Sequence, residues 1–188
     1  MSVMGEPGTK EPLSLEELQA STGLRTGRKH VLSILVENKS GVLTRIAGLF
    51  ARRGFNIDTL TVGPTDDEQI SRVTLTVDGA LHPIDQVTKQ LHKLINVLKI
   101  RDLEPEETLA RELALFKVSA DAAARAEVMQ LCEIFRAKVV DVSKRSVVVE
   151  VTGTDDKVTA FENLVRPFGL IEMARTGEIA ISRGRGET

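Results

Sequence analysis

The sequence predicts an α+β protein in which the order strand, helix, strand, strand, helix, strand occurs twice. Apolar residues alternate in short segments typical of strands, and between these segments they recur at three- and four-residue spacings typical of helices. An acidic run at residues 104–107 separates one series from the next. The chain has 188 residues, of which 41% are hydrophobic, enough for two small domains with ordinary cores.

The first series runs from residue 29 to residue 103. Its first helix is predicted to bury Leu43, Ile46, Ala47 and Phe50, which share one helical face, and Gly54 is the residue expected just past its end. The strands are predicted at residues 30–37, 56–62, 70–78 and 97–103, and the helices at residues 41–53 and from Pro83 onward.

The second series repeats this order with little common sequence. Its strands are predicted at residues 111–119, 138–143, 146–152 and 170–175, its helices at 123–135 and after Thr154, and a short edge strand at 178–182. Each series is therefore a ferredoxin-like βαββαβ unit. The predicted divisions are a mobile tail at 1–28, a first domain at 29–103, a linker at 104–110 and a second domain at 111–184.

Composition argues against several classes of function. The formal net charge is −2, aromatic residues make up 3%, and Trp and Tyr are absent, which disfavours nucleic-acid binding. Cys132 is the single cysteine, so neither an internal disulfide nor a cysteine-rich zinc site is expected. No apolar run is long enough to span a membrane, and residues 1–28 lack a signal-peptide core. These features predict a cytoplasmic protein.

One face of the first sheet is predicted to be only partly shielded from water. Thr59, Thr61, Thr74 and Thr76 alternate along the second and third strands. Both helices of a βαββαβ unit cover the opposite face of the sheet, so this face needs a partner or must tolerate water. Open edges and faces are commonly covered by oligomerisation. We therefore expect at least a dimer.

The loop at residues 38–43 is the strongest candidate site. It precedes a helix, whose first N–H groups lack intrahelical partners and favour a carboxylate or phosphate. Asn38 supplies an amide, and Gly41 allows close approach of a ligand to the backbone. An ordinary helix cap explains the same residues, as a simple turn explains Asn56, and on composition alone these are the commoner outcomes.

A resemblance to a known family favours the binding site. The run ENKSGVLTRIAGLFARRGFNIDTLTVGPTDD at 37–67, Ser71-Arg72-Val73-Thr74 and KQLHKLINVLKI at 89–100 resemble the regulatory (small) subunit of acetohydroxyacid synthase, also called acetolactate synthase. Residues 174–177 and 182–184 are similar as well. The likeness covers residues 29–184. It implies that the first unit is an ACT domain, the βαββαβ module that senses amino acids.

The resemblance also implies how an effector binds. In that family the N-terminal ACT domains of two chains pair, and valine binds between them as a feedback inhibitor. Carried over, one chain contributes the loop and helix start, and its neighbour contributes the beginning of the second strand. The implied valine-binding residues are Asn38, Gly41, Val42 and Leu43 from one chain and Asn56 and Ile57 from the other.

The implied function is regulatory. The partner is the large catalytic subunit, which carries thiamine diphosphate, Mg²⁺ and FAD, so this chain needs no cofactor. That subunit condenses pyruvate with pyruvate or 2-oxobutanoate in branched-chain amino acid biosynthesis, and the small subunit raises its activity and confers valine inhibition. The alternative is a stand-alone ACT regulator of another enzyme or of transcription. An RNA-binding protein or an acyl-phosphate hydrolase of the same topology has little support.

Other polar residues favour structural roles. His30, His82 and His92 lie on separate elements without metal-ligand spacing, and Cys132 falls on an apolar helical face. The acidic pair at 155–156 is expected in a helix first turn, where it complements the helix dipole. The second unit lacks a glycine in its first strand-to-helix link, at 119–122, so it is not expected to bind an amino acid in the same way.

Overall fold

The structure is a computed structural model, which describes residues 29–78, 83–121 and 124–184. The predicted tail and His82 lie outside the described residues. Within them the chain forms the strands β1 (Lys29–Glu37), β2 (Thr59–Pro64), β3 (Ile70–Asp78), β4 (Val97–Leu103), β5 (Thr108–Ser119), β6 (Lys138–Val142), β7 (Ser146–Gly153), β8 (Leu170–Arg175) and β9 (Ile179–Ser182). The helices are α1 (Val42–Arg53), α2 (Ile84–Leu91), α3 (Ala124–Phe135) and α4 (Asp155–Val165).

The first unit is an antiparallel sheet with strand order β2-β3-β1-β4. Leu32 and Ile34 of β1 and Leu75 of β3 are 0–1% exposed and lie beneath both helices. From α2, Val87 and Leu91 join the same cluster. The alternation read from the sequence therefore matches the buried face, and the predicted βαββαβ order is confirmed.

The buried stripe of α1 differs from the prediction. The core side chains are Val42, Ile46, Leu49 and Phe50, whereas Leu43 is 43% exposed. The helix contains two adjacent apolar pairs, at 42–43 and 49–50, so two faces about 100° apart both fit a helical repeat. Packing against β1 and β3 selects the face with Leu49, and the prediction of Leu43 and Ala47 as core residues was wrong.

This difference predicts unequal effects of two leucine truncations in the same helix. Leu49→Ala should lower the free energy of unfolding by about 2–4 kcal/mol, because it leaves a cavity in the core. Leu43→Ala should lower it by no more than about 0.5–1 kcal/mol, since its side chain is largely in water. Urea titrations of both variants check this, and equal losses would contradict the packing of α1.

Two strand starts also differ from the prediction. β2 begins at Thr59, so Asn56 and Ile57 precede the strand, and it continues through Pro64. β5 begins at Thr108, three residues earlier than predicted. Its first four residues, 108–111, pair with β9 instead of joining the second sheet, and this pairing confirms the edge strand expected at 178–182.

The second unit repeats the architecture with strand order β6-β7-β5-β8. Three phenylalanines from different elements meet in its core. The ring centroid of Phe161 lies 5.3 Å from that of Phe116 and 5.4 Å from that of Phe135. Thr154 caps α4, as predicted, by accepting a hydrogen bond from the Lys157 N–H. The two predicted ferredoxin-like units are thus confirmed, whereas the domain limits remain a prediction.

The threonine face of the first sheet is partly covered by this chain's own second unit. The Thr61 hydroxyl donates to the Thr176 carbonyl oxygen at 3.0 Å. Gly177 has φ +79°, and a Cβ there would lie 3.0 Å from Thr59 Cβ. Glycine is therefore required both by the backbone conformation and by this close approach. This face was expected to contact another subunit, but the second unit of the same chain covers part of it.

Candidate functional site

The loop at residues 38–43 is held against the turn between β2 and β3. The Asn38 N–H donates to the Gln69 carbonyl oxygen at 2.7 Å, and Asn38 Nδ2 donates to the Glu68 carbonyl oxygen at 2.9 Å. Gly41 is the N-cap of α1, with φ +84°, and no side chain caps the helix. Gly41 therefore caps the helix through its backbone, and its carbonyl oxygen accepts a hydrogen bond from the Arg45 N–H at 3.1 Å.

This helix start suits an anion. Its first turn contains no acidic residue, so the positive end of the helix dipole is not offset locally. A Cβ built on Gly41 would meet nothing within 4 Å, so the space in front of the loop is open. Val42 is buried and can offer only its backbone, while the Leu43 side chain is exposed beside it.

A buried asparagine, Asn96, braces the loop from behind. Arg45 Nη1 donates to Asn96 Oδ1 at 2.6 Å, and the Glu37 N–H donates to the Asn96 carbonyl oxygen at 3.0 Å. Asn96 Nδ2 donates to the Glu37 carboxylate, and this bond together with Lys39 holds the pKa of Glu37 below its usual value. Asn96 was not predicted from the sequence, where its one signal is a polar residue inside an apolar run at 94–98.

Asn56 and Ile57 lie at the other end of the sheet. Asn56 is exposed, and its Nδ2 donates to Asp58 Oδ1 at 2.9 Å. The Asp58 N–H bonds the Thr76 carbonyl oxygen, whereas the loop at 38–43 follows Glu37, which lies opposite Ile70. Six steps along β3 at about 3.3 Å each separate the two groups by about 20 Å. One chain therefore does not bring the predicted site residues together.

The Asn56 end opens into a polar cleft between the two units. The cleft encloses about 640 Å³ and is lined by both cationic and anionic side chains. Lys29 and Arg175 are the cations, and Asp58 and Asp155 are the anions. Asp155 pairs with Lys29 Nζ at 3.1 Å and with Arg175 Nη2 at 2.6 Å. Asp155 lies in the first turn of α4, as predicted.

The remaining polar candidates do not form a metal centre in the described parts of the chain. No group of three or more His, Cys, Asp or Glu side chains there could hold a metal ion. His30 Nδ1 pairs with Asp102 at 2.9 Å. Cys132 is buried as predicted, and burial raises the pKa of its thiol. Among the described residues, no helix is long and apolar enough to cross a membrane.

Family models match both units. The model described as an "AHAS small subunit-like ACT domain" matches residues 32–99. The model described as "Small subunit of acetolactate synthase" matches residues 111–184. The two matches together cover both sheets.

Curated proteins and a solved structure agree with these models. A probable acetolactate synthase small subunit of Archaeoglobus fulgidus is 51% identical over 83% of this chain and 98% of its own length. The acetolactate synthase small subunit of Mycolicibacterium smegmatis is 49% identical over 82% of this chain and 91% of its own. The crystal structure of the acetolactate synthase small subunit from Thermotoga maritima superposes with a TM-score of 0.77 at 43% identity, covering 85% of this chain and 99% of that one. The chain thus belongs to the family of acetolactate synthase small subunits.

Proposed function

We propose that this chain activates the catalytic large subunit of acetolactate synthase and makes the enzyme sensitive to valine. The single observation that carries the proposal is the open helix start at Gly41, with its unopposed dipole, in an ACT unit of this family. The start is suited to bind the carboxylate of a small amino acid. The chain itself contributes no catalytic group and no cofactor; thiamine diphosphate, Mg²⁺ and FAD belong to the large subunit.

The side chains near the two half-sites suit valine. Asn56 Nδ2 is turned toward the Asp58 carboxylate, so Oδ1 is presented on the other side as an acceptor for an ammonium group. Leu43 and Ile57 offer apolar surface for a branched side chain. The Gly41 and Leu43 amides bind the carboxylate, Val42 contributes its N–H although that group also bonds the Lys39 carbonyl oxygen at 3.4 Å, and Asn38 holds the loop in place.

Two copies are needed to complete the site, because its halves lie at opposite ends of one sheet. β2 is an edge strand of the first sheet in the described structure. Antiparallel pairing of β2 with β2 of a second copy places Thr59 of one chain opposite Pro64 of the other. Asn56 then extends past Pro64 of the partner toward its turn at 65–69, to which Asn38 is bonded. A two-fold dimer would therefore form two identical valine sites.

Such a site can regulate only through unequal affinity for two arrangements of the assembly. Valine bound between two copies strengthens one geometry of the β2 pair. We infer that this geometry is the one in which the large subunit is less active. Occupancy of the site is thereby linked to the supply of branched-chain amino acids.

Reconstitution tests the proposal. Added to the purified large subunit of the same organism, the chain should raise acetolactate production several-fold, and valine should reverse this gain in a saturable manner. The large subunit alone is the control and should respond little to valine. Unchanged activity and no co-purification would overturn the proposal and favour a stand-alone ACT regulator.

A further inference from the structure

A second, chemically different cleft lies between the first sheet and the ribbon formed by β9 and the start of β5. It encloses about 320 Å³. Thr61 and Gly63 of β2 form one wall, and Leu109, Ile179 and Ile181 of the ribbon form the other. These three apolar side chains are 39%, 59% and 51% exposed, so the cleft has an apolar surface that water reaches. Its volume lies at the lower end of the range for small-molecule sites.

The charges around this cleft have one sign. Arg72 and Arg111 line it, and none of the described residues that line it is acidic. Arg72 Nη1 donates to Ser33 Oγ at 2.8 Å, and Arg111 Nη1 donates to the Ala110 carbonyl oxygen at 2.7 Å. Each of these bonds uses one of the five donors of a guanidinium group, and the other donors include a planar edge of the kind that binds a carboxylate through two hydrogen bonds.

We propose that this cleft binds a short aliphatic carboxylate that lacks an ammonium group, such as a branched 2-oxo acid. The arginines bind the carboxylate, and Leu109, Ile179 and Ile181 pack against the carbon chain. An amino acid fits less well, because no acidic group lines the cleft to balance its ammonium charge. The cleft beside Asn56 differs in this respect, since it has charges of both signs.

The site is separate from the proposed valine site and does not depend on it. The cleft is formed by the outer face of the first sheet, which faces away from α1, and by the second unit of the same chain. Its residues come from β2, β3, β5 and β9, whereas the loop at 38–43 contributes none. A second small molecule at this position would bridge the two units directly.

The test uses the full chain and three probes that share a 2-methylpropyl carbon skeleton and differ in their charged groups. These are 3-methyl-2-oxobutanoate, an anion; valine, a zwitterion; and 2-methylpropylamine, a cation. Each is titrated while the NMR signals of Gly63, Ile179 and Ile181 are followed. We expect saturable shifts with the oxo acid, at least tenfold weaker effects at these signals with valine, and none with the amine.

Variants then locate the binding. Arg111→Gln should weaken the binding of the oxo acid at least tenfold, because it removes a charge-assisted hydrogen bond. Gly63→Leu should block the cleft, since a Cβ there meets nothing within 4 Å and φ is not positive. Arg145→Gln is the matched control: it removes the same charge at an exposed position in the turn between β6 and β7, and Arg145 does not line the cleft.

The outcomes separate the two proposals. Gly41→Asp should leave oxo acid binding unchanged while it removes valine binding. Loss of oxo acid binding in Gly41→Asp would place the acid in the valine site and overturn this inference. The inference would also be overturned if the Ile179 and Ile181 signals reported the same affinity for valine as for the oxo acid, or if their shifts with the oxo acid did not saturate. Wild-type affinity for the oxo acid in both Arg111→Gln and Gly63→Leu would overturn it too.

Discussion

Replacing Gly41 by aspartate is expected to raise the valine concentration for half-maximal inhibition of the reconstituted enzyme by about a hundredfold. A carboxylate at the helix start would repel the ligand carboxylate, and placing like charges side by side costs several kcal/mol. Each ~1.4 kcal/mol weakens the affinity tenfold. The fold should survive at a modest cost in stability, because a Cβ at this position meets no atom of the described residues within 4 Å and aspartate is one of the residues that tolerate a left-handed backbone. Activity without valine should stay near the wild-type value.

Gly41→Asn is the matched control. Asparagine is similar in size and, like aspartate, tolerates the left-handed backbone conformation of Gly41 at φ +84°. It adds volume without charge, so valine inhibition should weaken much less than in Gly41→Asp. Similar losses in the two variants would attribute the effect to steric exclusion and contradict the carboxylate assignment.

A mixture of Gly41→Asp and Asn56→Ala chains tests the sharing of the site between copies. Each homodimer has two damaged sites, whereas the mixed dimer combines both changes in one site and leaves the other intact. Mixing, followed by unfolding and refolding together, should therefore restore part of the valine inhibition. A site within one chain would predict no restoration at any mixing ratio.

Arg175→Met should cause the largest loss of stability among charge substitutions, about 3–5 kcal/mol in the free energy of unfolding. Arg175 forms an ion pair with Glu112, whose side chain is 1% exposed, and it pairs with Asp155 at 2.6 Å and with Glu162 at 3.8 Å. Without the guanidinium group, the buried Glu112 loses its cation, whereas Asp155 keeps Lys29 and Glu162 keeps Arg166. Urea titration near pH 7 measures the loss.

Lys138→Met is the control for this substitution. Lys138 also pairs with a strand glutamate, Glu150, at 3.8 Å, but its side chain is 80% exposed. Exposed pairs contribute about 0–1 kcal/mol, so this variant should remain near wild type. Comparable losses in Arg175→Met and Lys138→Met would show that the cluster around Arg175 is not the buried, paired network inferred here.

The same cluster predicts a pH dependence. Burial raises the pKa of Asp155, but Lys29 and Arg175 outweigh it and hold the pKa below its usual value of 3.8. Because the folded-state pKa is lowered, the stabilisation is complete above that usual value and is lost as the pH falls through the lower folded-state pKa. In Arg175→Met this part of the acid-induced loss should be reduced. An unchanged slope of unfolding free energy against pH would contradict the assignment.

Strands were the most predictable elements. The predicted bounds of β3, β4 and β8 match the structure to the residue, and in β3 the apolar residues Val73, Leu75 and Val77 alternate with polar ones. The start of β2 was placed three residues early. Local sequence does not show that Asp58 makes the last backbone bond to Thr76 before the strand begins.

The face of α1 and the brace at Asn96 were not predictable from local sequence. The adjacent apolar pairs at 42–43 and 49–50 are compatible with two different buried faces of α1, and only packing against the sheet determines which face is buried. Asn96 is 59 residues from Glu37 and 51 from Arg45 along the chain, and it meets both only because β4 returns beside β1. The Arg175 cluster joins residues from β5, α4 and β8 and is hidden from the sequence for the same reason.

The sequence by itself determined the two βαββαβ units, the family and the glycine-containing loop at 38–43 that precedes α1, because these depend on short-range periodicity and on contiguous motifs. Only the tertiary structure decided that Asn56 and Gly41 lie at opposite ends of one sheet, that the second unit covers part of the threonine face, and that two clefts of different charge separate the units. These features arise where distant segments meet, and the free energy of such contacts depends on register and packing that no local pattern records.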